Sequence, residues 1–86
     1  MEQFQYIIKD DLGIHARPAG MLVRLAMNYR SELLIAKQSD PGVSLKKIFT
    51  IMKLGVKCGD AVTISANGED EQQAIAALRD FFHGHL

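Results

Sequence analysis

Hydrophobic periodicity alternates between that of a strand and that of a helix along the whole chain, and no segment keeps one period for long. In residues 4–9, Phe4, Tyr6 and Ile8 fall on one face, the pattern of a half-buried strand. Residues 16–29 place Leu22, Leu25, Ala26 and Tyr29 at i, i+3, i+4 and i+7, which predicts a helix with those four as its buried stripe. Residues 32–38 read as a strand burying Leu33 and Ile35, residues 39–42 (SDPG) as a turn, and Val43 and Ser44 as the start of a short return strand. Residues 46–54 predict a short helix closed by Gly55. In 61–66, Val62 and Ile64 alternate with Thr63 and Ser65, a strand that ends in an Asn67-Gly68 turn. Asp70 then suits an N-cap with Gln73 completing a capping box, and a last helix over 71–83 buries Ala74, Ile75, Leu78, Phe81 and Phe82. The order is βαββαβα. It predicts an α+β domain, a four-stranded antiparallel sheet covered on one face by three helices. The opposite sheet face, with Gln5, Lys9, Thr63 and Ser65, can stay wet.

Eighty-six residues make one domain, 1–86, with no repeat or linker. At 48% hydrophobic and 23% charged, the composition is that of a globular chain rather than a disordered one. No apolar run is long enough for a membrane span, and the start MEQFQYIIKDD has no secretory n-region or h-region. The single cysteine, Cys58, excludes an internal disulfide and fits a reducing, cytoplasmic setting. The charges balance in number but not in place. Residues 15–57 hold eight basic and two acidic side chains, whereas the rest holds two basic and eight acidic. Such a split gives an electropositive region that can steer an anion or an acidic partner, or simply a dipolar surface. A nucleic-acid binder would be basic overall with interleaved aromatics, and only Tyr29 and Phe49 lie in the basic part.

The stretch Gly13-Ile14-His15-Ala16-Arg17-Pro18-Ala19-Gly20 carries the chemistry. Pro18 belongs in a first helical turn, which puts the helix start near 15–17 and His15 at the cap. No Ser, Thr, Asp or Asn stands there to accept from the N–H groups of Ala16 and Arg17. Free donors at a helix N-terminus favour an anion, and the Arg17 guanidinium adds a fixed positive charge. An imidazole so placed can hold an anion, can accept a phosphoryl group as a nucleophile, or can be a plain exposed histidine.

The stretches GIHARPAGMLVRLA and SLKKIFTIMKLGVKCGDAVTISANGEDEQQAIAAL together resemble the histidine-containing phosphocarrier (HPr) family of the bacterial phosphoenolpyruvate-dependent sugar phosphotransferase system. The likeness covers nearly the whole chain. It implies an open-faced β-sandwich. It also implies that His15 accepts a phosphoryl group on Nδ1 from phosphorylated enzyme I and passes it to sugar-specific EIIA domains, with Arg17 as the active-site arginine and no metal or organic cofactor. Partner docking is assigned by the resemblance to the first two helices. There Gly20, Met21, Arg24 and Met27 lie opposite the predicted stripe with Arg17, and Phe49, Met52 and Lys53 share one side of the second helix. Exposed methionines ringed by cations suit a transient acidic partner, although Met21 and Met52 also suit core packing. Size and charge balance suit a monomer.

The sequence departs from the family pattern at several points. Where many relatives carry a regulatory serine, this chain has Lys47, so control by a serine kinase at that position is not expected. Leu12 replaces a small polar residue near the histidine, and Gly20 a more usual Ala or Thr. The 39–42 turn is one residue longer than is typical. His83 and His85 form a His-x-His at a helix end expected to fray, a poor metal site. With His15 and Arg17 intact and the serine absent, the reading is a carrier. The alternative is a specialised or regulatory paralogue, such as a member of a nitrogen-type phosphorelay, with other partners.

Overall fold

The strand alternation closes into one sheet. The structure is a computed structural model that describes residues 1–37 and 41–86; Gln38, Ser39 and Asp40, and with them part of the predicted 39–42 turn, lie outside the described residues. Its elements are β1 (Glu2–Ile7), α1 (Ala16–Ala26), β2 (Glu32–Lys37), β3 (Val43–Ser44), α2 (Ile48–Leu54), β4 (Ala61–Asn67) and α3 (Glu71–His85). The strands lie in the order β1-β4-β2-β3 and every pairing is antiparallel. The registers Phe4↔Ile64 and Tyr6↔Val62 on one side of β4, and Ile35↔Ile64 and Leu33↔Ala66 on the other, bring apolar residues of three strands onto one face. A one-residue slip would send all of them to the other face, so burial fixes the register.

The helices cover that face, and α1 packs against both α2 and α3. Leu22, Leu33, Ile35, Ile64, Leu78 and Phe82 are fully buried between the layers. Phe82 meets Phe4 and Tyr6 edge-on, with ring centroids 5.9 and 5.7 Å away, a geometry that aromatic quadrupoles favour. The other sheet face stays open: Gln5 is exposed and Thr63 and Ser65 are half-buried, as the alternation predicts.

Element ends differ from the predicted ones. β1 lies two residues earlier than expected, because Ile8 leaves the ladder to exchange hydrogen bonds with the loop before β4: its N–H donates to Asp60 and its carbonyl accepts from Gly59. The first helix stops at Ala26 rather than 29. The N–H groups of Asn28 and Tyr29 donate to Leu25 and Ala26 in a tighter turn, which lets the chain reverse into β2. Its buried stripe is therefore Pro18, Ala19, Leu22 and Ala26, while Leu25 and Tyr29 are half-buried. The second helix begins at Ile48, two residues later than expected. The Lys46 N–H is taken by the Ser44 hydroxyl, and the Lys46 ammonium by the Tyr29 carbonyl, 2.7 Å away.

The predicted Asp70–Gln73 capping box does not form. Asp70 stands at the N-cap but makes no cap bond; its carboxylate accepts instead from the N–H of Arg30 and from the N–H and hydroxyl of Ser31. A reciprocal pair forms two residues earlier: Glu71 Oε1 accepts from the Gly68 N–H, and the Glu71 N–H donates to the Gly68 carbonyl. The last helix also runs on to His85, two residues past the expected end. Leu86 is 4% exposed, and its carbonyl accepts from the N–H groups of Lys9 and Asp10 at 2.6 and 2.9 Å.

Candidate functional site at the start of the first helix

The loop between β1 and α1 is shaped by Gly13. Its φ of +66° is in the left-handed region, and a Cβ there would strike the Val56 carbonyl oxygen. The Gly13 N–H donates to the Asp10 carbonyl, and the Leu12 N–H to the Asp10 carboxylate at 2.8 Å. The next residue, Ile14, is buried and donates its N–H to Val56 at 3.2 Å. A rigid strut therefore delivers the chain to His15. Leu12 itself is 71% exposed.

His15 is the N-cap of α1, with extended backbone angles (φ −91°, ψ −175°) and no side-chain cap bond. Its carbonyl accepts the first helical bond, from Ala19. The imidazole is half-buried and free to serve something other than its own helix. The N–H groups of Ala16 and Arg17 find no acceptor among the described residues, the usual condition of a first turn. Pro18 follows, buried, at a position where a missing N–H costs nothing. Arg17 is exposed and has no ion-pair partner among the described residues. A cleft of about 300 Å³ opens here, lined by Asp10, His15, Arg17, Pro18, Met21 and His85.

The structure brings His15, Arg17 and Met21 together at this cleft, with Ala16 exposed between the first two in the chain. Arg24 and Met27 are exposed farther along α1, Met27 by 64%. Gly20 lies where α1 faces α2: a Cβ on it would rest 3.9 Å from Ile48 Cδ1, ordinary contact with room for Ala. On α2, Phe49 is 80% exposed, Met52 and Lys53 are exposed, and only Ile51 is buried. Met21 is half-buried and packs on the core, one of the two roles weighed for it. Lys47 is the exposed N-cap of α2 and makes no side-chain cap bond.

Sequence reasoning missed two cleft residues, Asp10 and His85. In sequence Asp10 is an ordinary turn residue, and His85 belongs to an end expected to fray. The signal available was the final apolar Leu86, which anchors that end. Among the described residues no group of three or more His, Cys, Asp or Glu converges as a metal site. A larger, more apolar depression of about 430 Å³ runs along β1, lined by Gln5, Tyr6, Ile7, Lys9, Ala61 and His83. It lacks a helix N-terminus, and His15 is not among the residues that line it.

Residues 2–83 match the family model described as the PTS HPr component phosphorylation site. The chain is 43% identical over 79 residues to the phosphocarrier protein HPr of Mycoplasma genitalium, covering 92% of this chain and 90% of that one. It is similar to the crystal structure of HPr-C-His from Thermoanaerobacter tengcongensis, with a TM-score of 0.91, 39% identity, and 98% of this chain and 93% of that one covered. It is also similar to the HPr dimer from the same organism, with a TM-score of 0.76 and 39% identity, over 98% of this chain and 95% of that one.

Proposed function

The chain belongs to the HPr family of phosphotransferase-system phosphocarriers, and on that premise we propose that His15 receives a phosphoryl group from phosphorylated enzyme I and hands it to the EIIA domains of sugar permeases. The observation that carries the reading is the uncapped helix start: an imidazole at the N-cap, with the N–H groups of Ala16 and Arg17 and the Arg17 guanidinium beside it. In the transfer, the unprotonated ring nitrogen of His15, Nδ1 in the family, attacks phosphorus in line. The new P–N bond forms as the P–N bond to the donor imidazole breaks, and the donor leaves with its electron pair, so no net proton moves. Charge on the three phosphoryl oxygens meets donors already in place, which removes most of the reorganisation that water would require.

Docking follows from the second set of residues. Phe49, Met52 and Met27 offer apolar, adaptable contacts, and Arg24 and Lys53 offer charge to acidic partners. Lys47 offers no hydroxyl, so the chain works without serine-kinase control at that position. Among the described residues no helix is long and apolar enough to cross a membrane. The carrier acts in the cytoplasm as a monomer.

The test is incubation with phosphoenolpyruvate, magnesium and a bacterial enzyme I, followed by intact mass and phosphorus NMR. One acid-labile phosphoryl group, absent from His15→Ala, is the expected result. No uptake from any enzyme I, the cognate one included, would overturn the carrier role and favour a specialised relay.

A further inference from the structure

The far end of α3 reaches the cleft that His15 lines. α3 continues to His85, whose ring stacks on Phe81 with centroids 4.6 Å apart and an interplanar angle of 29°. Phe81 is buried, so it gives the imidazole a fixed platform. Two hydrogen bonds from Lys9 and Asp10 to the Leu86 carbonyl bind the helix end to the loop that carries His15. The two imidazoles therefore line one cleft and are held by one connected piece of backbone. The other charged groups there are Asp10 and Arg17, with the Leu86 main chain close behind. Arg17 is the only permanent cation lining the cleft, and Asp10 opposes it with a negative charge.

Resting on the carrier reading above, we propose that His85 donates a ring N–H to a phosphoryl oxygen on His15 and so stabilises the phosphorylated form of the protein. The three phosphoryl oxygens have more acceptor capacity than the Ala16 and Arg17 donors fill. Because His85 is exposed, it donates without first giving up a buried partner. It takes no part in bond making: it binds the group that His15 carries, and it favours the loaded over the unloaded state.

The experiment sets enzyme I, magnesium and a fixed ratio of phosphoenolpyruvate to pyruvate against the whole chain, and reads the phosphorylated fraction at equilibrium by intact mass. Phosphorus NMR of the loaded protein gives a second readout, at the phosphoryl group itself. His85→Phe keeps an aromatic ring on Phe81 but cannot donate; His85→Gln donates but is not aromatic. The Phe variant is expected to lower the loading constant roughly three- to tenfold, the effect of one exposed hydrogen bond to an anion, and to move the phosphorus shift. The Gln variant is expected to recover part of the loading. A Phe variant loaded as fully as the wild type, with the same phosphorus shift, overturns the proposal. A Gln variant as deficient as the Phe variant overturns it too, because a restored donor then restores no loading. Failure of the carrier reading is distinct: the wild type itself takes up nothing, or His15→Ala still does.

Discussion

Ser31 and Asp70 lie thirty-nine residues apart in the chain and are joined twice, the carboxylate of Asp70 accepting from both the hydroxyl and the N–H of Ser31. Ser31 is 1% exposed, and Asp70 also accepts from the Arg30 N–H. The turn into β2 is thereby pinned to the entry of α3. The Ser31 hydroxyl leads in holding the Asp70 carboxyl down from its usual 3.8 to about 2, with the Arg30 N–H next. A carboxyl held low in the folded state stabilises the fold above its unfolded value, and that contribution is lost as pH falls through the folded value. The contribution is therefore complete above pH 4 or so, shrinks below it, and is gone under the folded value of about 2. Asp70→Asn is expected to lower the urea midpoint near neutral pH, and the gap from wild type is expected to narrow as pH approaches 2. Equilibrium unfolding at a series of pH values checks this.

Gly13 and Gly55 have nearly the same φ, +66° and +67°, but different surroundings. A Cβ on Gly55 would find its nearest neighbour 4.0 Å away, whereas one on Gly13 would overlap Val56 and lie 2.7 Å from Lys57 Cα. Gly55→Ala is expected to cost about 1–2 kcal/mol, the left-handed penalty alone. Gly13→Ala adds a backbone clash and is expected to cost about 3 kcal/mol or more. Denaturant titrations separate the two, and the Gly13 variant is also expected to transfer phosphoryl groups more slowly because the strut to His15 moves.

On the docking surface proposed above, two residues of α2 are expected to divide stability from docking. Ile51→Ala removes a buried side chain and is expected to cost about 2–5 kcal/mol of stability. Phe49→Ala alters a side chain 80% exposed and is expected to leave the unfolding midpoint within about 0.5 kcal/mol of wild type. The same Phe49 change is expected to weaken enzyme I binding about fivefold or more, measured by calorimetry.

Arg17 is exposed and forms no ion pair among the described residues, so Arg17→Gln is expected to fold as stably as wild type. Loss of a fixed donor at the site of developing charge is expected to slow loading of His15 by about a hundredfold. Rapid-quench kinetics with phosphorylated enzyme I measure it.

Lys47 leaves the N-cap of α2 without a side-chain acceptor. Lys47→Ser supplies one and is expected to stabilise the protein by about 1 kcal/mol, a rise of roughly 4–8 °C in Tm by calorimetry.

Elements and site were legible in the sequence to different degrees. The face of each strand followed from alternation, since Tyr6, Leu33, Ile35, Val62 and Ile64 could be buried together in only one way. His15 at the cap followed from Pro18 and the absence of a better cap residue. What escaped depended on partners distant in sequence. Asp70 had the right residue type for an N-cap, but Ser31 claims its carboxylate. Tyr29 fitted the helical stripe, but its carbonyl is taken by Lys46 across the turn. His85 entered the cleft only because Leu86 docks on the loop at Lys9 and Asp10. Local pattern cannot report a bond whose other half is set by tertiary packing.

The strand order carries a consequence for how the chain is made. Among the described residues β4 is the only strand hydrogen-bonded to β1, and it also joins β2 to the sheet. During synthesis the ribosome releases β1, α1, the β2–β3 hairpin and α2 before Ala61 appears. Until then the N-terminal strand has no neighbour to pair with, and the first helices have no complete sheet to cover. Nucleation waits on a late segment, and native structure is expected to arise after most of the polypeptide has left the exit tunnel rather than progressively behind it.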